Sequence, residues 1–570
     1  MQTTEFILSA LFAACLFYAV NRRRAVARVQ TTIGILIVSS MLFSCNTDFE
    51  SDNEPTESRN LKELQYDKVP WDEKGKMMEK FATGISKALH NQKFRELVKR
   101  EALKKFNKDY DVLYHSIKNV PLSGKVTYRL MNDQEQTVDF STLHDFLIPF
   151  FESEQELLDF EMRLPLLTIF VPELPLDMFS ADSWDISDPD QIPDVAIRLD
   201  NITYTPVIGR DGFNYLIAPE DTPGWAVVVL KENERVVANT DPQFNELETR
   251  IIQTDPIDFR FVDNNLDPAY FSSSNDFGFR GASDDYIPQN LITAHQVFNN
   301  DREAWHRDYI YYSLTPTNLT GPMNNAYREH IATFRMKGDS PRNAYNRIAD
   351  SFDETKRDPA LQDWQRRKYG ATAWTDGSFE FLIRCYYGAN ASSLGESVSK
   401  VFGVSPGSLF DISWEQKRTG WSFWRKYWLR PYVSGTKVFN TAMPDSGVRL
   451  EFQPWDLNDF SNHWKFTFEE QDATSTTTRT EVVQSKFNTN LSLETTTGLL
   501  KKIGLKFGAS YERSQSSTFN YLFYGGNDDL GGATISFKDN PVNRVENRYV
   551  LRRFDTGSVE FSLVPLQVEY

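Results

Sequence analysis

Cysteine and histidine are scarce in this chain of 570 residues, which has three cysteines and seven histidines. Cys15 and Cys45 fall in the apolar N-terminal region, so Cys385 is alone in the rest of the chain and has no partner there for an intramolecular disulfide. We expect Cys385 to be a small buried side chain, because it shares one side of a predicted strand with Phe379 and Phe381.

Sequence motifs of catalysis and cofactor binding are also missing. No histidine pair has the spacing of a zinc site, and the sequence has no G-x-S-x-G, P-loop or Rossmann glycine motif. The missing motifs favour a protein without catalysis. An enzyme stays open nevertheless, because a hydrolase with carboxylates far apart in sequence would leave no local motif. No cofactor is predicted, although Ca²⁺ could bind the acidic loops at Asp188-Pro-Asp190, Asp284-Asp285 and 525–532, which are more typical of tight turns.

Positive charge is in deficit, with 62 basic and 79 acidic residues and a net charge of −17. A surface this acidic repels phosphate backbones, and no basic patch interleaved with aromatic residues is present to overcome the repulsion. The composition therefore excludes nucleic acid as an expected partner.

Two apolar runs lie close to the N-terminus, at residues 6–20 and 32–44. Each is shorter than the roughly 20 residues that a membrane-spanning helix needs. Arginines 22, 23, 24 and 28 separate them, as in the basic start of a secretion signal, so the second run is interpreted as its apolar part. We therefore expect residues 1–44 to be a signal segment, which either has its true start later in the chain or carries an unusual leader before the arginines. The alternative is a membrane anchor formed by the first run.

Leu42-Phe-Ser-Cys45 and the acidic run that follows define the expected location. The four residues resemble a bacterial lipobox, and residues 45–62, rich in Asp and Glu, resemble the tether and export signal of Bacteroidota surface lipoproteins. The resemblance implies cleavage before Cys45, acylation of that cysteine and attachment to the outer membrane, exposed at the cell surface. The membrane is thus one expected partner, reached through the lipid.

Hydrophobic periodicity beyond the tether changes along the chain and predicts an α+β protein. We expect a helical region at 63–163, a small antiparallel β domain at 164–240, a mixed segment at 241–370 and a large β-rich domain, sandwich or elongated, at 371–570. Helix starts are predicted at Asp72, Asn91, Ser153 and Ser340, and a turn is predicted at Lys231-Glu-Asn-Glu234.

The stretch "WSFWRKYWLRPY" is the most aromatic part of the β-rich domain. On a strand, Trp421 would lie on one face and Trp424 and Trp428 on the other. Core packing on both faces is one interpretation. The other is that one face packs in the core while the second forms a surface that stacks on carbohydrate, which makes these three tryptophans candidate ligand-binding residues.

Residues 473–524 are dominated by Ser, Thr and Asn, with apolar residues at alternate positions. These are Val483, Phe487, Leu491, Leu493, Ile503, Leu505 and Phe507. In composition and length the segment resembles the hairpins that aerolysin-type pore-forming proteins insert into membranes, and either arm reaches the roughly 9–11 residues of a spanning strand. A hairpin that packs its apolar side on a neighbouring sheet would show the same alternation.

Three functions remain open on this sequence. The first is a lipid-anchored binding protein at the cell surface, whose ligand is a glycan or a protein. The second is a pore-forming or membrane-active protein that uses residues 473–524. The third is a hydrolase with dispersed carboxylates.

Overall fold

The computed structural model describes sixteen stretches of the chain. They are residues 66–122, 124–129, 135–199, 204–272, 287–300, 305–318, 321–349, 370–387, 397–419, 426–442, 446–457, 459–460, 463–471, 480–486, 518–524 and 528–568. Within them the protein has the expected α+β fold, with helices towards the N-terminus and a body rich in antiparallel strands. No helix in these stretches has the length and apolar character needed to cross a bilayer.

The helices are α1 (Glu73–Ala88), α2 (Gln92–Ala102), α3 (Tyr114–Ile117), α4 (Leu143–Leu147), α5 (Glu154–Arg163), α6 (Pro268–Ser272), α7 (Gln289–Val297), α8 (His306–Tyr312), α9 (Pro341–Asn346) and α10 (Pro406–Leu409). The strands are β1 (Asp111–Leu113), β2 (Gly124–Arg129), β3 (Glu135–Phe140), β4 (Leu167–Phe170), β5 (Asp194–Ile197), β6 (Thr205–Ile208), β7 (Tyr215–Ile217), β8 (Thr222–Pro223), β9 (Val227–Glu232), β10 (Val236–Ala238), β11 (Ile251–Ile252), β12 (Phe259–Phe261), β13 (Tyr327–Met336), β14 (Phe379–Tyr386), β15 (Ser397–Val404), β16 (Phe410–Thr419), β17 (Lys426–Thr436), β18 (Phe439–Asn440), β19 (His463–Glu470), β20 (Thr480–Lys486), β21 (Thr518–Tyr524), β22 (Asp528–Ser536), β23 (Val542–Val545), β24 (Arg548–Leu551), β25 (Phe554–Asp555) and β26 (Val559–Gln567).

The N-terminal helices pack against a six-stranded sheet of order β1-β4-β9-β5-β6-β7. Helix α1 begins at Asp72, whose carboxylate accepts a hydrogen bond from the Gly75 backbone N–H at 2.6 Å. Its apolar side, at helical spacing, buries Met78, Phe81 and Ile85 in the same core as the strands. The helix starts predicted at the other three capping residues, Asn91, Ser153 and Ser340, are confirmed as well.

Strand β9 does not form a hairpin with β10, although the turn at 231–234 lies between them. β9 is parallel to β5 and antiparallel to β4, whereas β10 pairs with β12 in a separate three-stranded sheet. Where the two strands diverge, the Asn233 backbone N–H donates to the carbonyl of Leu166 at 2.9 Å, and the Asn233 side-chain oxygen accepts the Arg235 N–H at 3.0 Å. A local turn signal cannot tell a hairpin from a crossing between sheets.

The second large core lies between the sheets β18-β13-β26-β25 and β15-β14-β19-β22. Phenylalanines from facing strands meet there, as where the rings of Phe334 and Phe381 lie 4.7 Å apart between centroids. Cys385 of β14 is fully buried in this core with Phe379 and Phe381, as the strand alternation predicted.

Arg235 connects the segment before β1 with strand β14 of the second large core. Its guanidinium donates to the carboxylate of Glu380 in β14 at 2.6 Å, to the carbonyl of Asn107 at 2.8 Å and to the carboxylate of Asp109 at 3.1 Å. Arg235 is 2% exposed, so these partners replace its hydration almost completely. The segment before β1 and the strand β14 are thereby fixed to the same side chain.

We expect Arg235→Met to lower the free energy of unfolding by about 3–5 kcal/mol, because it removes the buried donor that Glu380, Asp109 and the carbonyl of Asn107 share. Urea denaturation followed by circular dichroism measures the change. Arg100→Met is the matched control, since Arg100 pairs with its neighbour Glu101 at the surface. Equal losses in the two variants would contradict a structural role for Arg235.

A second buried charge, Glu161 of α5, holds the helices together. It accepts hydrogen bonds from Tyr114 at 2.7 Å, from His144 at 2.8 Å and from Lys118 at 2.8 Å. Burial alone raises the pKa of Glu161, but the donors His144, Lys118 and Tyr114 outweigh it and hold the pKa at about 2. The folded protein therefore favours the ionised form more strongly than the unfolded chain does.

Because the folded pKa is depressed, Glu161 stabilises the protein fully above pH 4.5, and this contribution is lost as the pH falls towards 2. We expect Glu161→Gln to lower the free energy of unfolding at pH 7 by about 3 kcal/mol and to flatten its dependence on pH between 4.5 and 2. Denaturant melts across that range measure both effects. Glu154→Gln, at the exposed start of the same helix, should leave the slope unchanged; an unchanged slope in Glu161→Gln would refute the assignment.

Candidate functional site

The aromatic strand β17 pairs with the short strand β8, which lies in the chain between β7 and β9 of the N-terminal sheet. Trp428 faces Pro223 in an antiparallel pairing, and the Gly224 N–H donates to the carbonyl of Tyr427 at 2.9 Å. A Cβ atom on Gly224 would lie 2.8 Å from that carbonyl oxygen, so only glycine allows the two backbones to approach this closely. This contact places Trp225, the next residue, beside Trp428.

Three half-buried aromatic side chains, Tyr215, Trp225 and Trp428, form what we call the aromatic cluster. The rings of Trp225 and Trp428 are nearly perpendicular, at 84°, with centroids 4.8 Å apart. Tyr215 lies against the other side of Trp225 at 6.3 Å and 52°. Edge-to-face contacts of this kind fix ring orientation, so the cluster is a preformed surface.

Asp194, at the start of β5, anchors the cluster. Its Oδ2 accepts hydrogen bonds from the Tyr215 hydroxyl at 2.6 Å and from the Trp225 indole N–H at 2.9 Å, and its Oδ1 accepts the Arg210 N–H at 2.9 Å. Burial and the charge of Asp194 raise the pKa of Tyr215 well above its usual value, so the hydroxyl stays a donor. The polar ends of both rings are therefore bonded within the protein, and a ligand would meet ring surface.

A buried ion pair lies beside the cluster. Arg430 is two residues along β17 from Trp428 and therefore on the same side of the strand. Its Nε donates to the carboxylate of Asp221 at 2.6 Å, and its Nη2 lies 3.5 Å from Glu220. Trp428 and Arg430 thus lie on the same side of β17, but Arg430, Asp221 and Glu220 are buried beneath the half-exposed rings.

Comparison with family models, with curated proteins and with solved structures found no match to this chain.

Of the three tryptophans predicted to bind ligand, Trp428 belongs to the aromatic cluster, whereas Trp421 and Trp424 lie outside the described residues. Tyr427, the residue before Trp428, is 36% exposed, so β17 does not pack in a core on both of its faces at these two positions. Sequence reasoning missed Tyr215, Trp225 and Asp194, which come from separate elements. The signal that could have found Trp225 is a bulky residue after Pro-Gly, at the start of the apolar strand β9.

The predicted membrane hairpin is described only at its base. β20 and β21 pair antiparallel over 480–486 and 518–524, with Val483 opposite Tyr521. The other predicted positions, namely Phe487, Leu491, Leu493, Ile503, Leu505 and Phe507, lie outside the described residues, as does Cys45.

The acidic loops predicted as possible Ca²⁺ sites are described in part. Asp188 accepts the backbone N–H of Asp190 at 2.9 Å, and Asp529 accepts that of Gly531 at 2.7 Å, as in ordinary turns. Asp284 and Asp285 are outside the described stretches. Within those stretches no group of three or more His, Cys, Asp or Glu side chains is placed to hold a metal ion.

Proposed function

We propose that this protein is a lipid-anchored binding protein of a bacterial outer surface and that a glycan is the ligand of its aromatic cluster. The observation that carries the proposal is the fixed, half-buried pair of rings Trp225 and Trp428. The pyranose ring of a sugar presents C–H groups on its face, and these groups pack on an aromatic ring.

Preorganisation supports binding. Because Asp194 and the contact between the two tryptophans already fix the rings, a ligand would not have to order them. The polar atoms of Tyr215 and Trp225 are already hydrogen-bonded to Asp194, so the rings are free to pack on the C–H face of a sugar.

The location in this proposal rests on the sequence. Leu42-Phe-Ser-Cys45 and the acidic run after it support acylation at Cys45 and exposure at the cell surface, where glycans are available ligands. A membrane-active role of residues 473–524 and a hydrolase with dispersed carboxylates stay predictions.

The glycan proposal predicts that Trp225→Ala and Trp428→Ala each weaken retention on a glycan array by at least about tenfold, because buried aromatic anchors dominate binding energy. Apparent affinity on an array of bacterial, plant and host polysaccharides is the measurement, with thermal melting to verify folding. Tyr270→Ala is the control, since Tyr270 is an exposed aromatic residue of α6, outside the cluster. Failure of the unaltered protein to retain any glycan, or an equal loss in the control, would contradict the proposal. If the unaltered protein bound other proteins but no glycan, the ligand would be a protein instead.

The anchor is tested separately. Cys45→Ala should abolish incorporation of a fatty-acid label and release the protein from the membrane fraction, because the thiol is the proposed acylation site. Cys15→Ala, a cysteine in the first apolar run, should change neither. Labelling that persists in Cys45→Ala would place the anchor elsewhere.

A further inference from the structure

A cavity of about 410 Å³ lies away from the aromatic cluster. It is bounded by the start of α1, the end of α5, the link from β9 to β10 and the 3-10 turn Pro242–Asn245. Its volume is within the roughly 300–1,000 Å³ of small-molecule sites.

One wall of the cavity is apolar. It includes Met77 of α1, Leu164 after α5 and Val237 of β10. An occupant with a hydrocarbon body would cover this wall and remove it from water. The wall therefore argues against a bare metal ion as the occupant.

The charged lining is predominantly acidic. The carboxylates of Glu73, Glu232, Glu234 and Asp241 line the cavity, against the two cations Lys74 and Arg163. Glu232 pairs with Lys74, and the buried Glu234 pairs with Arg198 and Lys231.

The remaining two carboxylates, Glu73 and Asp241, make weaker contacts within the protein. Glu73 pairs with Arg163 at 2.6 Å, but the two side chains are 79% and 60% exposed, so water competes for both. Asp241 accepts the Gln243 backbone N–H at 2.8 Å. A carboxylate oxygen accepts more than one hydrogen bond, so both residues can accept from a ligand as well.

We propose that this cavity binds a small organic ammonium ion with an apolar body, such as a primary alkylamine. The ammonium group would donate to Asp241 and Glu73, and the hydrocarbon would lie on the apolar wall. Carboxylate and phosphate ligands are disfavoured by the acidic lining and by the net charge of −17. The site does not depend on the proposed glycan function.

Isothermal titration of the purified full-length protein with hexylamine, hexanol and hexanoate tests the proposal. We expect saturable binding of hexylamine and binding of the other two weaker by at least about tenfold, because they lack the charge-assisted hydrogen bonds. Hexanol that binds as tightly as hexylamine, or hexylamine that does not saturate, would overturn it.

Variants locate the site. Asp241→Asn and Glu73→Gln should each weaken hexylamine binding about tenfold. Thr240→Trp, at an exposed position of the rim, should block entry without disturbing a core. Glu96→Gln, an exposed position on α2, should have no effect. An effect of Glu96→Gln equal to that of Asp241→Asn would show non-specific attraction and reject the site. Glycan retention should be unchanged in all four, so failure here is distinguishable from failure of the glycan proposal.

Discussion

The guanidinium group of Arg235 is bound at once by Glu380, Asp109 and the carbonyl of Asn107, and it is almost completely removed from water. Removing a cation from water costs several kcal/mol, and the cost is offset only when all its partners are in place. The segment before β1, the link after β9 and the strand β14 therefore cannot take their positions independently. This interaction joins segments that pack in the two large cores, which are built from different sheets.

Arg235 belongs to a larger buried group of charges. Lys231 and Arg198 add two more cations, while the carboxylates of the group are Asp109, Asp111, Glu234, Asp376 and Glu380. Carboxylates outnumber cations, and burial raises the pKa of Asp111 and of Glu380. A proton retained on a carboxyl group reduces the charge that the interior must accommodate, so the group combines ion pairing with protonation.

Both proposed sites derive their geometry from the same sheet. Asp194 begins β5 directly opposite Val227 of β9, and Trp225 precedes β9 by two residues, so strand pairing brings the anchor and the ring together. Trp428 arrives on β17 from the distant C-terminal part of the chain. At its other end, β9 leads into the link that lines the cavity. One strand thus connects the aromatic cluster, the buried charges and the cavity.

Features that depend on neighbouring residues were predictable from the sequence. Helix starts at Asp72, Asn91, Ser153 and Ser340, the burial of Cys385 and the α+β class follow from capping and periodicity, which act over a few residues. Of the candidate site, the sequence predicted Trp428 but not its surroundings. The separation of β9 from β10, the contact of Trp225 with Trp428 and the contact of Arg235 with Glu380 follow instead from the folded arrangement of the chain. Those contacts join residues far apart in the chain, and local patterns do not specify which distant strand or charge will be the partner.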